Sequence, residues 1–465
     1  MKLITHIIIL SSTLFSFLCV QHENDYDSLP FIDFQPVKNI DDYEKPVITL
    51  ITPEKDSTRV GISSVTFSVQ CTDQNGVKSV TCTLDEQPLT VGTGTGNNYS
   101  VDVTGLTIGD NTLIFSAIDG SSKANKSTKS INIIYIPPAS NIRNIAAGVA
   151  HSLFLKQDGS LWACGYNGFG QLGDGTTDNR LTPVQIMSDV QSIAAGGLYS
   201  LIIKIDGTLW ACGDNGFGQL GVGDTIDRST PVQVLSGVKK ISAKHSHSLI
   251  LKTDSTLWAC GWNKYYQLGV GDTLNRSTPV QVMSGVQDMS AGGHSLILKT
   301  DGTLWECGYT SDQPVPMQVN SSIQNMAAGS DHSLMLKTTG TLWAWGFNSA
   351  GQLGDGTTFN RPVPLKVMNG VQNIATGNDY SLMLKTDGTL WACGSNGEGQ
   401  LGNGTITQQS TPVKIMSDVH RMAAGRNHSL ILKTDGTYWV CGSNEAGQLG
   451  DGTTTNRLKP VQIRF

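Results

Sequence analysis

Five histidines recur at one position of a repeated segment: His151, His247, His294, His332 and His428. Tyr199 and Tyr380 fill that position in two further copies. Imidazoles can ligate metal or move protons, but a metal site needs its ligands to converge within ~2 Å of one ion. Equivalent positions in successive copies are held apart by the repeat itself, so a structural hydrogen-bonding role is expected. Cys164, Cys212, Cys260, Cys307, Cys393 and Cys441 recur in the same way, with Trp345 in the seventh place. Adjacent copies should keep these Cα atoms beyond the ~7 Å reach of a disulfide, which makes them packing thiols. The Gly-rich stretch GFGQLGDG (168–175) lacks the Lys-Ser/Thr of a phosphate loop and opens no helix, so it reads as a turn. Glu306 replaces the usual Ala of WACG, yet one carboxylate makes no acid/base pair. No GxSxG or HExxH occurs. These residues assign no catalytic group, no metal ligand and no cofactor.

The elements that carry them come from the repeat. A unit reading AAGxxHSLxLKTDGTLWACGxNxxGQLGDGTTxxRxTPVQV recurs from Asn141 onward. Its tryptophans are Trp162, Trp210, Trp258, Trp305, Trp343, Trp391 and Trp439, at spacings of 48, 48, 47, 38, 48 and 48 residues. Seven units of several short strands each predict a seven-bladed β-propeller. Within a unit, HSLILKTDGTLWACG is two strands joined at Asp-Gly, where Gly accepts a positive φ at little cost. Large apolar residues on both strand faces suit a blade packed between two neighbours, so the ring is needed for stability. The last strand, PVQIRF (460–465), is expected to complete the blade of the first unit and clasp the ring shut.

This repeat resembles that of the regulator of chromosome condensation family, whose members are seven-bladed propellers; the fourth unit here is truncated. The family includes a nuclear exchange factor for a small GTPase, a plant ultraviolet photoreceptor and a secreted bacterial inhibitor of β-lactamases. The resemblance implies protein–protein contact through one propeller face. The GWRHT motif of the photoreceptor members is absent. TDGTLW is similar to the aspartate box of sialidases with compressed spacing, and serves the hairpin more simply.

Positions that drift between units are freed from folding and available for recognition. One drifting set precedes the first hairpin strand: Val149-Ala150, Gly197-Leu198, His245-Ser246, Gly293, Ser330-Asp331, Asn378-Asp379 and Arg426-Asn427. The other follows the second hairpin strand: Tyr166, Asp214, Trp262, Tyr309, Phe347, Ser395 and Ser443. A hairpin returns to its starting level, so both sets should emerge on one face. The third unit departs most, with Lys244 where other units have Gly, His245 after it, and Trp262, Lys264, Tyr265 and Tyr266 in place of YNGFG. The fourth unit lacks the GQLGDGTT loop and should leave a notch. The expected partner face therefore comprises Lys244, His245, Trp262, Lys264, Tyr265, Tyr266, Tyr309, Phe347 and Tyr166.

Ahead of the repeats, Lys2 precedes an apolar run from Leu3 to Val20, read as a signal peptide over 1–20. Cys19 ends that run as the candidate lipidation residue, although Leu18 stands where a small residue is usual. An acidic stretch, 21–44, reads as a flexible tether. Short alternating segments follow over 45–137, near 47–51, 65–71, 80–84, 99–104, 111–117 and 130–135. About seven strands fit an immunoglobulin-like β-sandwich, and YSVDVTGLTIGDNTLIFSAID (99–119) resembles bacterial immunoglobulin-like modules. Cys71 and Cys82 are expected to point inward on neighbouring strands, as a disulfide or as two buried thiols. The propeller is expected over 138–465.

Composition agrees with an all-β chain. Of 465 residues 52 are Gly, about 11% against a usual ~7%, and only 15% are charged. Net charge is −6, and residues 141–465 balance 23 Lys and Arg against 23 Asp and Glu. That excludes a globally basic nucleic-acid binder. The chain is thus expected to be an exported, envelope-attached or extracellular, monomeric binding module for a protein partner. It touches membrane only through a lipid anchor and is not an enzyme. The alternatives are a regulator of an enzyme (a secreted-enzyme inhibitor or a GTPase exchange factor) and a carbohydrate-binding propeller.

Overall fold

A computed structural model describes residues 47–54, 64–72, 77–93, 97–104, 109–119, 126–135, 142–308 and 313–463. The leader with Cys19, the tether and Tyr309 lie outside the described residues. The chain divides into two compact units, residues 1–139 and 140–465.

The first unit contains β1 (Val47–Glu54), β2 (Ser64–Thr72), β3 (Val77–Leu84), β4 (Gln87–Leu89), β5 (Val91–Thr93), β6 (Asn98–Thr104), β7 (Gly109–Asp119) and β8 (Lys126–Tyr135). They form two four-stranded antiparallel sheets, ordered β1-β2-β6-β5 and β4-β3-β7-β8. Alternation sends Val69, Cys71 and Val101 from one sheet and Cys82, Leu84, Leu113, Phe115 and Ala117 from the other into a shared core. Cys71 and Cys82 are therefore not on neighbouring strands; they belong to opposite sheets, and both are free buried thiols. Burial pushes the Cys71 thiol up to about 11 and the Cys82 thiol up to about 12.

The second unit consists of seven four-stranded antiparallel sheets. Blade 1 contains β9 (Ile142–Ala147), β10 (His151–Lys156), β11 (Leu161–Gly165) and β12 (Arg180–Met187), paired in chain order. Blades 2 to 7 repeat this plan over residues 190–235, 238–283, 286–320, 323–369, 371–416 and 419–463. Each blade is a run of four consecutive strands, including the last. Arg457–Ile463 pairs with Tyr438–Gly442 inside blade 7, not with any strand of blade 1. The expected strand clasp is absent, because β9 already occupies the inner edge of blade 1 and β12 its outer edge.

Side chains close the ring instead. Ile142, Ile145, Phe154 and Cys164 of blade 1 share one core with Leu430, Leu432, Tyr438, Val440, Leu449 and Ile463 of blade 7. The rings of Phe154 and Tyr438 meet edge to face at 5.0 Å. A belt of buried hydrogen bonds runs through the same joint. His428 Nε2 lies 3.0 Å from Ser152 Oγ, which donates to the Gln448 carbonyl at 2.6 Å. The same link joins His151 to Ser200, His247 to Ser295, His294 to Ser333 and His332 to Ser381. At the two tyrosine positions, Tyr199 donates to the His247 carbonyl and Tyr380 to the His428 carbonyl, both at 2.5 Å. Seven joints are thus bonded, and the recurring histidines have the structural role expected of them.

Where the serine hydroxyl donates to a glutamine carbonyl, its lone pair must accept the Nε2–H, and the buried Nδ1 of His151, His332 and His428 has no hydrogen-bond partner among the described residues, as suits a neutral imidazole. Burial enforces the same state, holding His151 down to about 4 and His247, His332 and His428 down to about 3. The belt also explains the glycine three residues before His151, Tyr199, His332, Tyr380 and His428. A Cβ on Gly148 would lie 2.2 Å from His151 Cε1, and one on Gly377 would lie 1.8 Å from Tyr380 Cε1.

Loops interlock the blades further out. The loop after each third strand tucks against the next blade, where its glycine faces that blade's cysteine. A Cβ on Gly173 would lie 2.9 Å from Cys212 Sγ, and Cys212 Sγ sits 3.6 Å from the Gln171 carbonyl. Blade 4 has lost this loop, so blade 5 receives none, and there Trp345 replaces the cysteine and is only 5% exposed. The indole takes up volume that a loop and a thiol share elsewhere. It packs with Leu296, Leu298 and Leu304 of blade 4.

Two outcomes follow from this packing. Trp345→Cys should open a cavity and cost about 2–4 kcal/mol in denaturant unfolding; the same exchange combined with a grafted GQLGDGTT loop in blade 4 should restore much of that loss. Unfolded histidines titrate near ~6.5 while the folded ones stay neutral to about 4 or below. Stability is therefore complete above pH 6.5 and falls as pH drops toward 4, because only the unfolded chain takes up protons. Thermal melts should show this fall, and His332→Tyr, which copies the residue used in two blades, should make it shallower by about one proton.

Candidate functional site

Strand register fixes which positions share a face. His151 pairs with Gly165, and Gly165 with Arg180, so the turn before β10 and the long loop between β11 and β12 leave at one end of the blade. The Asp-Gly hairpins leave at the other. Both drifting sets thus lie on one face, as their spacing predicts.

The long loops are tied down individually. In blade 1, Asn167 donates through Nδ2 to Asp174 and accepts from the Leu172 N–H, while Arg180 pairs with Asp174 at 2.7 Å. Blade 6 exchanges both charged partners together, carrying Asn403 and Gln409 at these places. A loop anchored at its base offers its remaining side chains to solvent at defined positions.

Blades 2 and 3 bring aromatic rings together. Trp262 and Tyr265 meet edge to face at 5.4 Å, and Phe217 tilts onto Trp262 at 6.0 Å. Lys264 is exposed, with Nζ 5.9 Å from the Tyr265 ring centre. Tyr166 and Phe169 form a similar pair at 6.4 Å in blade 1, and Phe347 is 39% exposed in blade 5. Phe217, 41% exposed, completes the cluster and is absent from the sequence expectation. Its signal was available, since it occupies the repeat position of Phe169 and Tyr265.

A second set was also missed. Ile226, Leu274 and Phe359 stand at one loop position in blades 2, 3 and 5, Ile406 stands one residue earlier in the blade 6 loop, and all four are 62% to 72% exposed. Among the described residues, six large apolar side chains are well exposed on the loops of this face: Phe217, Ile226, Leu274, Phe347, Phe359 and Ile406. The hairpin face has Ile205 alone, and the remaining seven lie on outermost strands. Exposed apolar surface is thus concentrated on one end and the rim.

Tyr266 is singular within the cluster. Its φ is +63°, where the other full loops carry glycine at +78° to +81°. A non-glycine residue in the left-handed region costs about 1–2 kcal/mol. The phenol is kept at a place where folding alone favours glycine.

Lys244 and His245 behave differently from the aromatics. Lys244 extends its strand by one pair with His247 and forces His245 to φ +48°. Its ammonium crosses the ring axis to the carbonyls of Ala328, Thr376 and Gly377 in blades 5 and 6. His245 Nε2 reaches Ser330 Oγ at 3.0 Å, passing over blade 4, and Ser330 bonds Asn378. Blade 4 has one residue fewer in its inner turn, only Gly293 between Gly292 and His294. The third unit's two most unusual residues therefore brace the axis beside that shortened turn and do not project as partner anchors. Burial draws Lys244 down to about 7 and His245 to about 4.

Glu306 is buried, its Oε1 3.7 Å from His294 Nε2. Burial lowers the His294 proton affinity, and the nearby Glu306 charge acts against that shift. Among the described residues, no group of three His, Cys, Asp or Glu is placed to hold a metal ion.

Fold and face together define a seven-bladed propeller with exposed rings and aliphatic side chains on its loop face. The regulator of chromosome condensation (RCC1) repeat model matches residues 158–203, 206–251, 254–298, 339–384, 387–432 and 435–465, and the chain belongs to that family. The first unit matches a bacterial Ig domain over residues 46–129. Among solved structures, yeast RCC1 (Prp20) bound to Kap60 is 20% identical with a TM-score of 0.60, over 70% of this chain and 88% of that one. Prp20p from Saccharomyces cerevisiae, whose binding properties to Gsp1p and histones accompany its structure, is 21% identical with the same TM-score. It matches over 67% of this chain and 88% of its own. At such identities the likeness is one of fold.

Restoring glycine tests how Tyr266 is held. Tyr266→Gly should raise the unfolding free energy by about 1 kcal/mol or leave it unchanged, as read by denaturant titration.

Proposed function

We propose that this protein is a binding module whose propeller presents its loop face to a protein partner, with the Phe217–Trp262–Tyr265 cluster as anchor and Lys264, Tyr266, Tyr166 and Phe347 around it. The observation that carries the reading is the unequal distribution of exposed apolar side chains among the described residues: six on the loop face against Ile205 alone on the hairpin face. Clustered aromatics are common anchors of protein interfaces, each worth ~2 kcal/mol or more when a partner buries it. The strained Tyr266 adds support, since a partly exposed phenol stands where the other full loops carry glycine.

The leader-like segment 1–20, Cys19 and the bacterial Ig match support an exported protein, attached to the envelope or released, with the acidic segment and sandwich as spacer. Such a setting favours a surface or secreted partner over a nuclear one, so a GTPase exchange role does not follow from family membership. Inhibition of a secreted enzyme is the narrower form of the same proposal.

Trp262→Ala combined with Tyr265→Ala should abolish capture of partners from an envelope fraction, with the thermal midpoint changed by only a few degrees. Ile205→Asp, on the opposite face, should leave capture intact. Equal capture by the double variant would reject this face.

A further inference from the structure

The ring axis has an open mouth on the loop face. Gly148, Val149, Gly196, Gly197, Gly425 and Arg426 line it with Lys244, His245, Asn378 and Ala147. Its water-accessible volume is about 20 Å³, room for one water or the tip of one ligand group. Glycine keeps the walls at bare backbone: a Cβ on Gly197 would fall 2.6 Å from the His245 carbonyl oxygen, and one on Gly425 2.6 Å from that of Gly148.

No acidic side chain lines this mouth, and its two strong cations are Lys244 and Arg426. Arg426 is anchored through its backbone, its N–H donating to Gly148 and its carbonyl accepting from Asn378. Its guanidinium is exposed and takes no acceptor from the described residues. Lys244 and His245 stand beside it, near enough that the Lys244 and Arg426 charges both disfavour protonation of His245. The acidic groups nearest the axis, Asp331 and Asp379, do not line the pocket. Asp379 offsets part of the Lys244 charge, and it also raises the proton affinity of Asp331. Lys244 is further engaged by three carbonyls. The unanswered charge at the mouth is therefore that of Arg426, whose planar fork suits two oxygens of one anion.

We propose that the axial mouth is an oxyanion-binding site, with Arg426 as the principal ligand-binding residue and Lys244 and His245 as its supporting wall, admitting the oxygen-bearing tip of a single carboxylate or phosphate group. Arg426 marks the site because no other unit places an arginine at this position of the inner turn. The proposal stands apart from the aromatic cluster and survives if that cluster binds nothing.

The experiment titrates the full chain with inorganic phosphate and, separately, with acetate by calorimetry at fixed ionic strength, for wild type and Arg426→Gln. Saturable binding of either ion, weakened roughly tenfold or more by Arg426→Gln, is the expected result. The tighter of the two ions identifies a phosphate or a carboxylate as the natural group. Absence of saturation with both ions, or equal binding by wild type and Arg426→Gln, would overturn the site. Arg426 is exposed, so the variant should fold, and an unchanged melting curve in chloride buffer confirms that it has.

Discussion

Each blade holds the next through a buried side chain, a histidine or a tyrosine, that reaches across to the first hairpin strand of its neighbour. The joint between blades 7 and 1, His428 to Ser152, is of the same kind as the four other histidine joints. It has to be, because no strand is shared between the two ends of the chain. A ring closed this way depends on every joint being dry and on every imidazole being neutral. Those demands fix the glycine ahead of five of the seven side chains, the serine on the facing strand and, wherever a long loop arrives, the carbonyl that orients it. Most of the repeat's constancy is thus the geometry of one joint copied around a circle.

Departures from the repeat answer one another across blades. Blade 4 has a shortened inner turn and no long loop. Lys244 and His245 brace the axis beside the first loss, and Trp345 fills the space left by the second. Glu306 is buried in the same altered blade, beside His294. Large residues in unusual places therefore do not all face outward. Some restore packing density around a deletion, which protein interiors enforce closely.

What is left after this compensation is a smaller and more pointed surface. The Phe217, Trp262 and Tyr265 rings touch one another across two blades, and the apolar loop tips of blades 2, 3, 5 and 6 stand on the same face. The hairpin face carries Lys–Trp contacts such as Lys156 over Trp162 at 4.1 Å, which cover the indoles with flexible amines. One end of the propeller is thus capped by its own side chains, and the other presents rings and aliphatic groups to solvent.

The all-β class, the sandwich ahead of the repeats, the seven blades and the single face shared by the drifting positions were legible in the sequence, because each follows from local periodicity copied many times. Strand alternation determines which residues are buried, and a hairpin determines which turns share an end. Three matters were decided only in three dimensions: where the ring closes, which sheets carry Cys71 and Cys82, and whether Lys244 and His245 point out or in. These depend on contacts between segments far apart in the chain, such as Lys244 with Thr376 or Ser152 with His428. No local pattern encodes such pairs, because their energy comes from which blade edges and cavities the closed ring happens to bring together.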